Sequence, residues 1–149
     1  MFLGEFTHAI DDKGRLTIPA KFREQLTDGA VITRGFEKHL LIYTREAFAR
    51  LTARLRTLTP TDPDHRALLR QQFSGASEVT PDKQGRILIP QFLRDYAGLD
   101  GECVLVGVGD FIEVWNRAGW QSQLETINDP VLNAKRFAAL NLGSDAPST

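Results

Sequence analysis

The sequence predicts a β-rich α+β fold in which two copies of one unit share a barrel-like core with helices attached. Its clearest feature is a repeated segment, because DDKGRLTIPAKF at residues 11–22 returns as DKQGRILIPQFL at residues 82–93. Short apolar runs flank glycine turns in both halves, which is the pattern of β-hairpins. Stretches with helical periodicity follow the hairpins, so helices are expected as well.

The repeated segment defines a fixed offset between the two halves. Setting Gly14 on Gly85 gives an offset of 71 residues, which is 85 minus 14. Identical residues that align at this offset include Asp11 with Asp82, Arg15 with Arg86, Ile18 with Ile89, Pro19 with Pro90 and Arg23 with Arg94. So many matches at one offset indicate a tandem duplication, and a duplication predicts pseudo-twofold symmetry.

The alignment continues after one inserted residue, where Gly29 falls on Gly101. We therefore assign the first unit, with its helical tail, to residues 1–76 and the second to residues 77–142. The remaining tail, residues 143–149, is predicted to be disordered.

The first hairpin of each unit turns at Asp-x-x-Gly, as DDKG in one copy and DKQG in the other. Glycine is expected there because a tight hairpin turn needs a residue with positive φ. Pro19 or Pro90 ends the strand that follows, since proline cannot donate to a strand ladder. AKFREQL and QFLRDYAGL then predict helices of roughly two turns.

The second hairpin of each unit is predicted from paired apolar runs, AVITR with LLIYT and ECVLV with FIEVW. Its turn is assigned to Gly35 in the first unit and to Gly107 with Gly109 in the second.

Helices are expected to close each unit. Thr44 and Asn116 are good N-cap residues ahead of stretches with apolar side chains every three or four positions. Asp62 and Asp129 are each followed by proline, which supplies an N-cap and a proline at the first helical position. Each unit therefore ends in the same sequence signals.

Neither unit is expected to be stable alone, since domains of ~60 residues bury too little surface. We therefore predict that the two halves interleave and share one core. Ile87, Leu88 and Ile89 are apolar in succession, which predicts a strand that is covered on both faces, whereas Thr17 interrupts the run in the first copy.

Composition narrows the classes of function. The formal net charge of −1 argues against a chain coated with positive charge, so any DNA-binding surface must be local.

Cys103 is the single cysteine and three scattered histidines offer no ligand set, so neither a metal nor a cofactor is expected. No run approaches the ~18 apolar residues of a membrane span, and the start MFLGEFTHAI lacks the pattern of a secretory signal. A cytoplasmic location without membrane contact is expected.

Basic residues gather at the two glycine turns. The candidate DNA-binding residues are Lys13, Arg15, Lys83 and Arg86. Arginines repeated at matching places suit a repeating polyanion such as duplex DNA. Arginine also offers a planar fork that can bridge guanine O6 and N7 or two phosphate oxygens, which lysine cannot do.

Acidic residues and glycines complete the same motif. Asp11 and Asp82 precede the turn arginines by four residues, so each is expected to orient its arginine by a charged hydrogen bond. Gly14 and Gly85 are the turn residues that bring the ends of the motif together.

Two other classes of function remain open. The same arginines suit an acidic protein partner, as in an antitoxin-like protein or an assembly scaffold. An enzyme is less favoured, because no histidine, serine nucleophile or metal ligand accompanies both Asp11 and Asp82.

At these residues the sequence resembles the MraZ family, a relative of the SpoVT/AbrB swapped-hairpin transcription factors. HAIDDKGRLTIPAKFR and DKQGRILIPQFLRDYAGL are similar to that family's two signature segments, and the resemblance runs from Phe2 to about Leu142. It implies a double-split β-barrel of two swapped-hairpin units, in which the Asp-x-x-x-Arg pairs contact DNA. It also implies a bacterial transcriptional regulator of the division and cell-wall gene cluster. Such a regulator binds short direct repeats in the promoter as a ring-shaped homo-oligomer, in the cytoplasm and nucleoid.

Overall fold

The computed structural model describes residues 1–143, which fall into two compact units. The first unit is Met1–Arg117 and the second begins at Ala118. The tail predicted to be disordered, residues 143–149, lies outside the described residues apart from Gly143.

Eight strands and six α-helices are found within residues 1–143. The strands are β1 (Phe2–Ile10), β2 (Arg15–Thr17), β3 (Ala30–Arg34), β4 (Leu40–Thr44), β5 (Ser77–Val79), β6 (Arg86–Leu88), β7 (Gly101–Gly109) and β8 (Phe111–Asn116). The α-helices are α1 (Ala20–Arg23), α2 (Arg45–Leu55), α3 (Pro63–Ser74), α4 (Gln91–Ala97), α5 (Arg117–Ile127) and α6 (Pro130–Arg136). A short 3₁₀ helix, Glu24–Leu26, continues α1.

The strands form a nearly closed antiparallel barrel in the order β5-β3-β4-β8-β7-β1-β2-β6. Each copy of the repeat contributes four strands, and the first strand of each copy pairs with the third strand of the other, β1 with β7 and β5 with β3. The two second strands pair with each other, as do the two fourth strands. This exchange confirms the β-rich α+β fold, in which two interleaved units build one pseudo-twofold barrel.

The barrel stays open between β5 and β6. In the first copy, β1 and β2 are joined where Ile10 pairs with Leu16. The residue that corresponds to Ile10 at the offset of 71 is Pro81. The backbone N–H of Asp82 still donates to the carbonyl of Arg86 at 2.8 Å, as that of Asp11 does to Arg15 at 3.0 Å. The second copy therefore keeps the contact next to the turn, but β5 and β6 form no strand pair beyond it.

The barrel interior is filled by apolar side chains from both copies. Leu16 of β2 is paired with Ile87 of β6, and both are completely buried. Ile42 of β4 and Val114 of β8 are also completely buried. Burying one such side chain stabilises the fold by about 1.5–3 kcal/mol. Because the contributions come from both copies, the barrel cannot be divided without exposing them.

One prediction about this core is wrong. Leu88 was expected to lie in a strand covered on both faces, but 60% of its surface is exposed. Successive side chains of a strand point to opposite faces, and Ile87 and Ile89 take the inward positions. Only one face of β6 is therefore covered.

The turn assigned to Gly107 is also wrong, because Gly107 lies inside β7 and the hairpin turns after Gly109. A side chain at Gly107 would collide with the backbone of Phe2 and Leu3, so glycine is needed there for the close approach of β1. Here a glycine that looked like a turn residue allows two strands to pack.

The alignment of the two copies also needs a correction of one residue in this region. Ala30 pairs with Thr44, whereas Cys103 pairs with Asn116, the counterpart of Thr44. Ala30 therefore corresponds to Cys103 and not to Glu102, its partner when Gly29 is set on Gly101.

The helix starts follow the predicted signals. The Thr44 side chain accepts a hydrogen bond from the backbone of Ala47 at the start of α2. Asp62 and Asp129 cap α3 and α6, each ahead of a proline in the first turn. No helix within residues 1–143 is long and apolar enough to cross a membrane.

Candidate nucleic-acid interface

The first turn, residues 11–15, is organised around the Asp11 carboxylate. One oxygen accepts hydrogen bonds from the backbone N–H groups of Lys13 (3.0 Å) and Arg15 (2.8 Å). The other accepts from Nε of Arg15 at 2.7 Å. Gly14 has φ of 85° and donates to the Asp11 carbonyl at 3.0 Å. Asp11 thus shapes the turn and holds the guanidinium of Arg15 at the same time.

The second turn, residues 82–86, repeats this geometry. Asp82 accepts from the backbone of Gln84 and of Arg86, both at 2.9 Å, and from Nε of Arg86 at 3.0 Å. Gly85 has φ of 76°. The positive φ of the turn glycine and the Asp–Arg contact were both predicted, and both occur in each copy.

The same hydrogen bonds keep both aspartates ionised. The backbone N–H of Arg15 holds the pKa of Asp11 below its usual value, with a further contribution from its side chain. Arg86 lowers the pKa of Asp82 in the same way. Each turn therefore presents a fixed Asp–Arg ion pair at neutral pH.

The pairing of β2 with β6 brings the two turns together. Leu16 and Ile87 face each other inside the barrel, so the residues on either side of them point outward. Arg15 and Arg86 are among these outward residues. Nη1 of Arg86 lies 4.0 Å from the carboxylate of Asp11 in the other turn. Two arginines from distant parts of the chain thus share one outward face.

The two predicted lysines are exposed, but they do not occupy equivalent places. At the offset of 71, Lys13 corresponds to Gln84 and Lys83 corresponds to Asp12. The first turn carries two acidic and two basic residues, whereas the second carries one acidic and two basic residues. The formal charge is therefore 0 at the first turn and +1 at the second.

Two further arginines lie beside the turns. Nε of Arg23, at the end of α1, donates to the carbonyl of Ile18 at 2.8 Å. Nε of Arg94, in α4, donates to the carbonyl of Ile89 at 3.0 Å. Both aligned in the repeat, eight residues after each turn arginine, but they were not assigned to the site. Only the folded chain shows that they reach the turns.

Outside the turns, the first unit also contains a cavity and a buried thiol. A cavity of about 370 Å³ lies against α2, with His39 and Glu113 among its lining residues. Burial raises the pKa of Glu113, but hydrogen bonds from His39 and Trp115 outweigh burial and lower it. Burial raises the pKa of Cys103 to about 11, which keeps the thiol unreactive. Residues 1–143 contain no group of three His, Cys, Asp or Glu side chains that could hold a metal.

Comparison with known proteins identifies the family of the chain. The model of a family described as "MraZ protein, putative antitoxin-like" matches the chain twice, over residues 1–71 and 72–141. Several curated relatives carry the name transcriptional regulator MraZ. The protein from Herpetosiphon aurantiacus is 47% identical and covers 87% of this chain and 90% of its own length. The Acetivibrio thermocellus protein is 49% identical over 82% and 85%, and the Roseiflexus protein 45% identical over 93% and 94%.

These relatives are named as transcriptional regulators and not as enzymes, which agrees with the predicted class. The two tandem matches also agree with the duplicated barrel. The chain is a transcriptional regulator and belongs to the MraZ family.

Proposed function

We propose that this transcriptional regulator binds double-stranded DNA through the paired turns at residues 11–15 and 82–86. The observation that carries the proposal is the antiparallel pairing of β2 with β6, because Arg15 and Arg86 lie on one outward face of this pair. An arginine fork can bridge two acceptors on a guanine or on the phosphate backbone. Lys13 and Lys83 add exposed charge beside the arginines, where they can neutralise phosphates.

The fixed position of the two arginine side chains favours DNA binding by these turns. Each arginine keeps its Nε on an aspartate, so its side chain does not have to be ordered when DNA binds. The aspartates lower the net charge of the face, and this limits the affinity that one subunit reaches alone. Asp11 and Asp82 act as orienting residues in this proposal, and Gly14 and Gly85 as turn residues.

Association of several subunits would raise the affinity for DNA above that of one subunit. In the unit that begins at Ala118, no described residue is buried, and five large apolar side chains are exposed: Ile127, Val131, Phe137, Leu140 and Leu142. Exposed apolar surface of this kind marks a contact with another protein. We propose that it joins copies of this chain in a ring-shaped homo-oligomer, which places several pairs of turns along one duplex and multiplies weak contacts.

The target is proposed from the family resemblance. It comprises short direct repeats in the promoter of the division and cell-wall gene cluster, bound in the cytoplasm and nucleoid. Subunits that act together would require repeats spaced by about one helical turn, near 10 base pairs, so that successive turns meet one face of the duplex.

The experiment is a DNA titration of the purified protein by fluorescence anisotropy, with the organism's own division-cluster promoter. One duplex carries the natural repeats, a second carries a single repeat, and a third has about half a helical turn inserted between repeats. We expect the second and third duplexes to bind much more weakly than the first. Equal binding to all three would contradict joint action of the subunits, and absence of binding to the natural promoter would contradict the proposed function.

The alternative is an antitoxin-like protein or scaffold that uses the same basic turns to bind an acidic protein partner. An acidic peptide added as a competitor distinguishes the two. If the peptide binds at salt concentrations at which promoter DNA does not, the protein partner is favoured.

A further inference from the structure

Arg23 contacts the turn of the other copy of the repeat. A Cβ atom built on Gly85 would lie 2.6 Å from Cζ of Arg23, which is inside the contact distance of real atoms. The guanidinium therefore rests directly on the glycine of the second turn. The backbone adds a connection, because Ile18, whose carbonyl accepts from Arg23, donates its N–H to the carbonyl of Gly85 at 2.8 Å.

Arg94 makes the mirror-related contact. A Cβ atom on Gly14 would lie 2.7 Å from Cζ of Arg94. Ile89 accepts from Arg94 at 3.0 Å and donates to the carbonyl of Gly14 at 2.8 Å. Each turn is thus covered by an arginine that follows the opposite turn in sequence.

We propose that Arg23 and Arg94 are positioning residues that act crosswise: Arg23 fixes the second turn and thereby Arg86, and Arg94 fixes the first turn and thereby Arg15. The inference rests on the proposed function for its consequence in DNA binding. Its structural part, that each arginine holds the opposite turn, stands on the contacts alone.

The contact explains why glycine and arginine are both needed. Gly14 and Gly85 satisfy a positive φ, and they also leave the space that the guanidinium occupies. The planar guanidinium keeps its Nε on a carbonyl while its flat group covers the turn. Lysine has no planar group and no Nε–H, so it cannot make both contacts.

Hydrogen exchange read by mass spectrometry tests the crosswise action in the free protein. The variants are R23A, R23K, R94A and R94K, with K21A as the control at an exposed position of α1. We expect R23A and R23K to accelerate exchange at residues 82–86 about tenfold and to leave residues 11–15 nearly unchanged. R94A and R94K should do the reverse. Equal acceleration at both turns, or none at either, would overturn the proposal.

A double-substitution cycle provides a second test, which asks whether each arginine acts through the turn assigned to it. Alanine at Gly85 strains the positive-φ turn and also displaces the Arg23 side chain, so G85A disrupts the same turn that R23A is expected to loosen. The loss of promoter affinity in G85A/R23A should therefore stay within about twofold of the loss in G85A alone. In the mismatched pair G85A/R94A the two losses should multiply, because different turns are released. Multiplication in both pairs would overturn the crosswise assignment.

The two proposals fail in different ways. If the wild-type protein does not bind the promoter, the proposed function fails, but the exchange pattern still decides whether the arginines position the turns. If DNA binds and R23A weakens it without changing exchange at residues 82–86, Arg23 touches DNA itself and the positioning role is wrong. Thermal melts of every variant identify any that fail to fold.

Discussion

The first turn and the second turn have the same backbone and the same Asp–Arg pair, yet they differ in charge and in support. Residues 11–15 have no net formal charge, whereas residues 82–86 carry +1. The first turn is continuous with a strand pair that includes Ile10 and Leu16, whereas Pro81 precedes the second turn at the place where the barrel is open. The two turns therefore share the residues that hold the arginine in place and differ in the residues around it.

This difference gives the pseudo-twofold face a polarity. A face with two identical turns would read an inverted repeat as readily in either half, as a symmetric dimer does. Here the more positive turn is distinguishable from the neutral one. If this face binds DNA as proposed, each subunit has one preferred direction along the duplex, and several subunits in the same direction would fit direct repeats.

The largest effect is expected when both arginines are removed. R15A/R86A should weaken promoter binding by about a hundredfold or more, since a good bidentate arginine contact is worth about 1–3 kcal/mol. Anisotropy titrations at fixed salt measure the loss. The melting temperature should change little, because both side chains point outward and make few core contacts.

The matched control is R50A, an exposed arginine of α2. It should bind the promoter like the wild type. A collapse of stability in R15A/R86A would instead make the two arginines structural.

A smaller effect is expected from making the first turn resemble the second. D12K places a lysine where the second turn has Lys83 and should strengthen binding about three- to tenfold at low salt. The salt dependence should also become steeper, since each phosphate neutralised adds about 0.9 to the logarithmic slope. K83D is the reciprocal change and should weaken binding. Unchanged affinity in both variants would show that the difference in charge has no role in recognition.

The difference in support should appear as a difference in exchange. Backbone amides of the second turn should exchange a few times faster than those of the first, because β5 and β6 are not paired with each other. Hydrogen exchange of the wild-type protein measures this, and faster exchange in the first turn than in the second would contradict the explanation.

The smallest effect concerns pH. Asp11 and Asp82 have pKa values below the usual carboxyl value, so they stabilise the folded state above the unfolded pKa of about 3.9. That stability is lost as the pH falls through the lowered folded pKa. D11N/D82N should therefore be less stable than the wild type at pH 7, and the difference should shrink below about pH 4. Melting curves across pH 2–7 test this, and a constant difference would exclude the ionised carboxylates as its source.

The duplicated barrel could be predicted from the sequence because the repeat and the turn residues are visible along the chain itself. The Asp-x-x-Gly-Arg spacing specified both turns, including the positive φ of Gly14 and Gly85. It could not specify whether one or both faces of a strand are covered, so it overestimated the burial of Leu88. It also could not specify which strand lies alongside β7, so it misread Gly107 as a turn residue.

The same limit applied to the candidate site. Arg15 and Arg86 could be chosen because they belong to the turns themselves. Arg23 and Arg94 repeat just as faithfully, but their contacts run to the opposite copy and so are not visible along the chain. A residue that acts across a pseudo-twofold axis is found only when both copies are seen together.

Hydrogen exchange of the wild-type protein with and without promoter DNA tests the central claim most directly, that the two turns act as one DNA-binding face. We predict slower exchange in the bound state at residues 11–15 and at residues 82–86, with the same dependence on DNA concentration. Residues 63–74 of α3 serve as the internal reference and should not change. Protection of one turn alone, or of neither turn while DNA is bound, would contradict the claim.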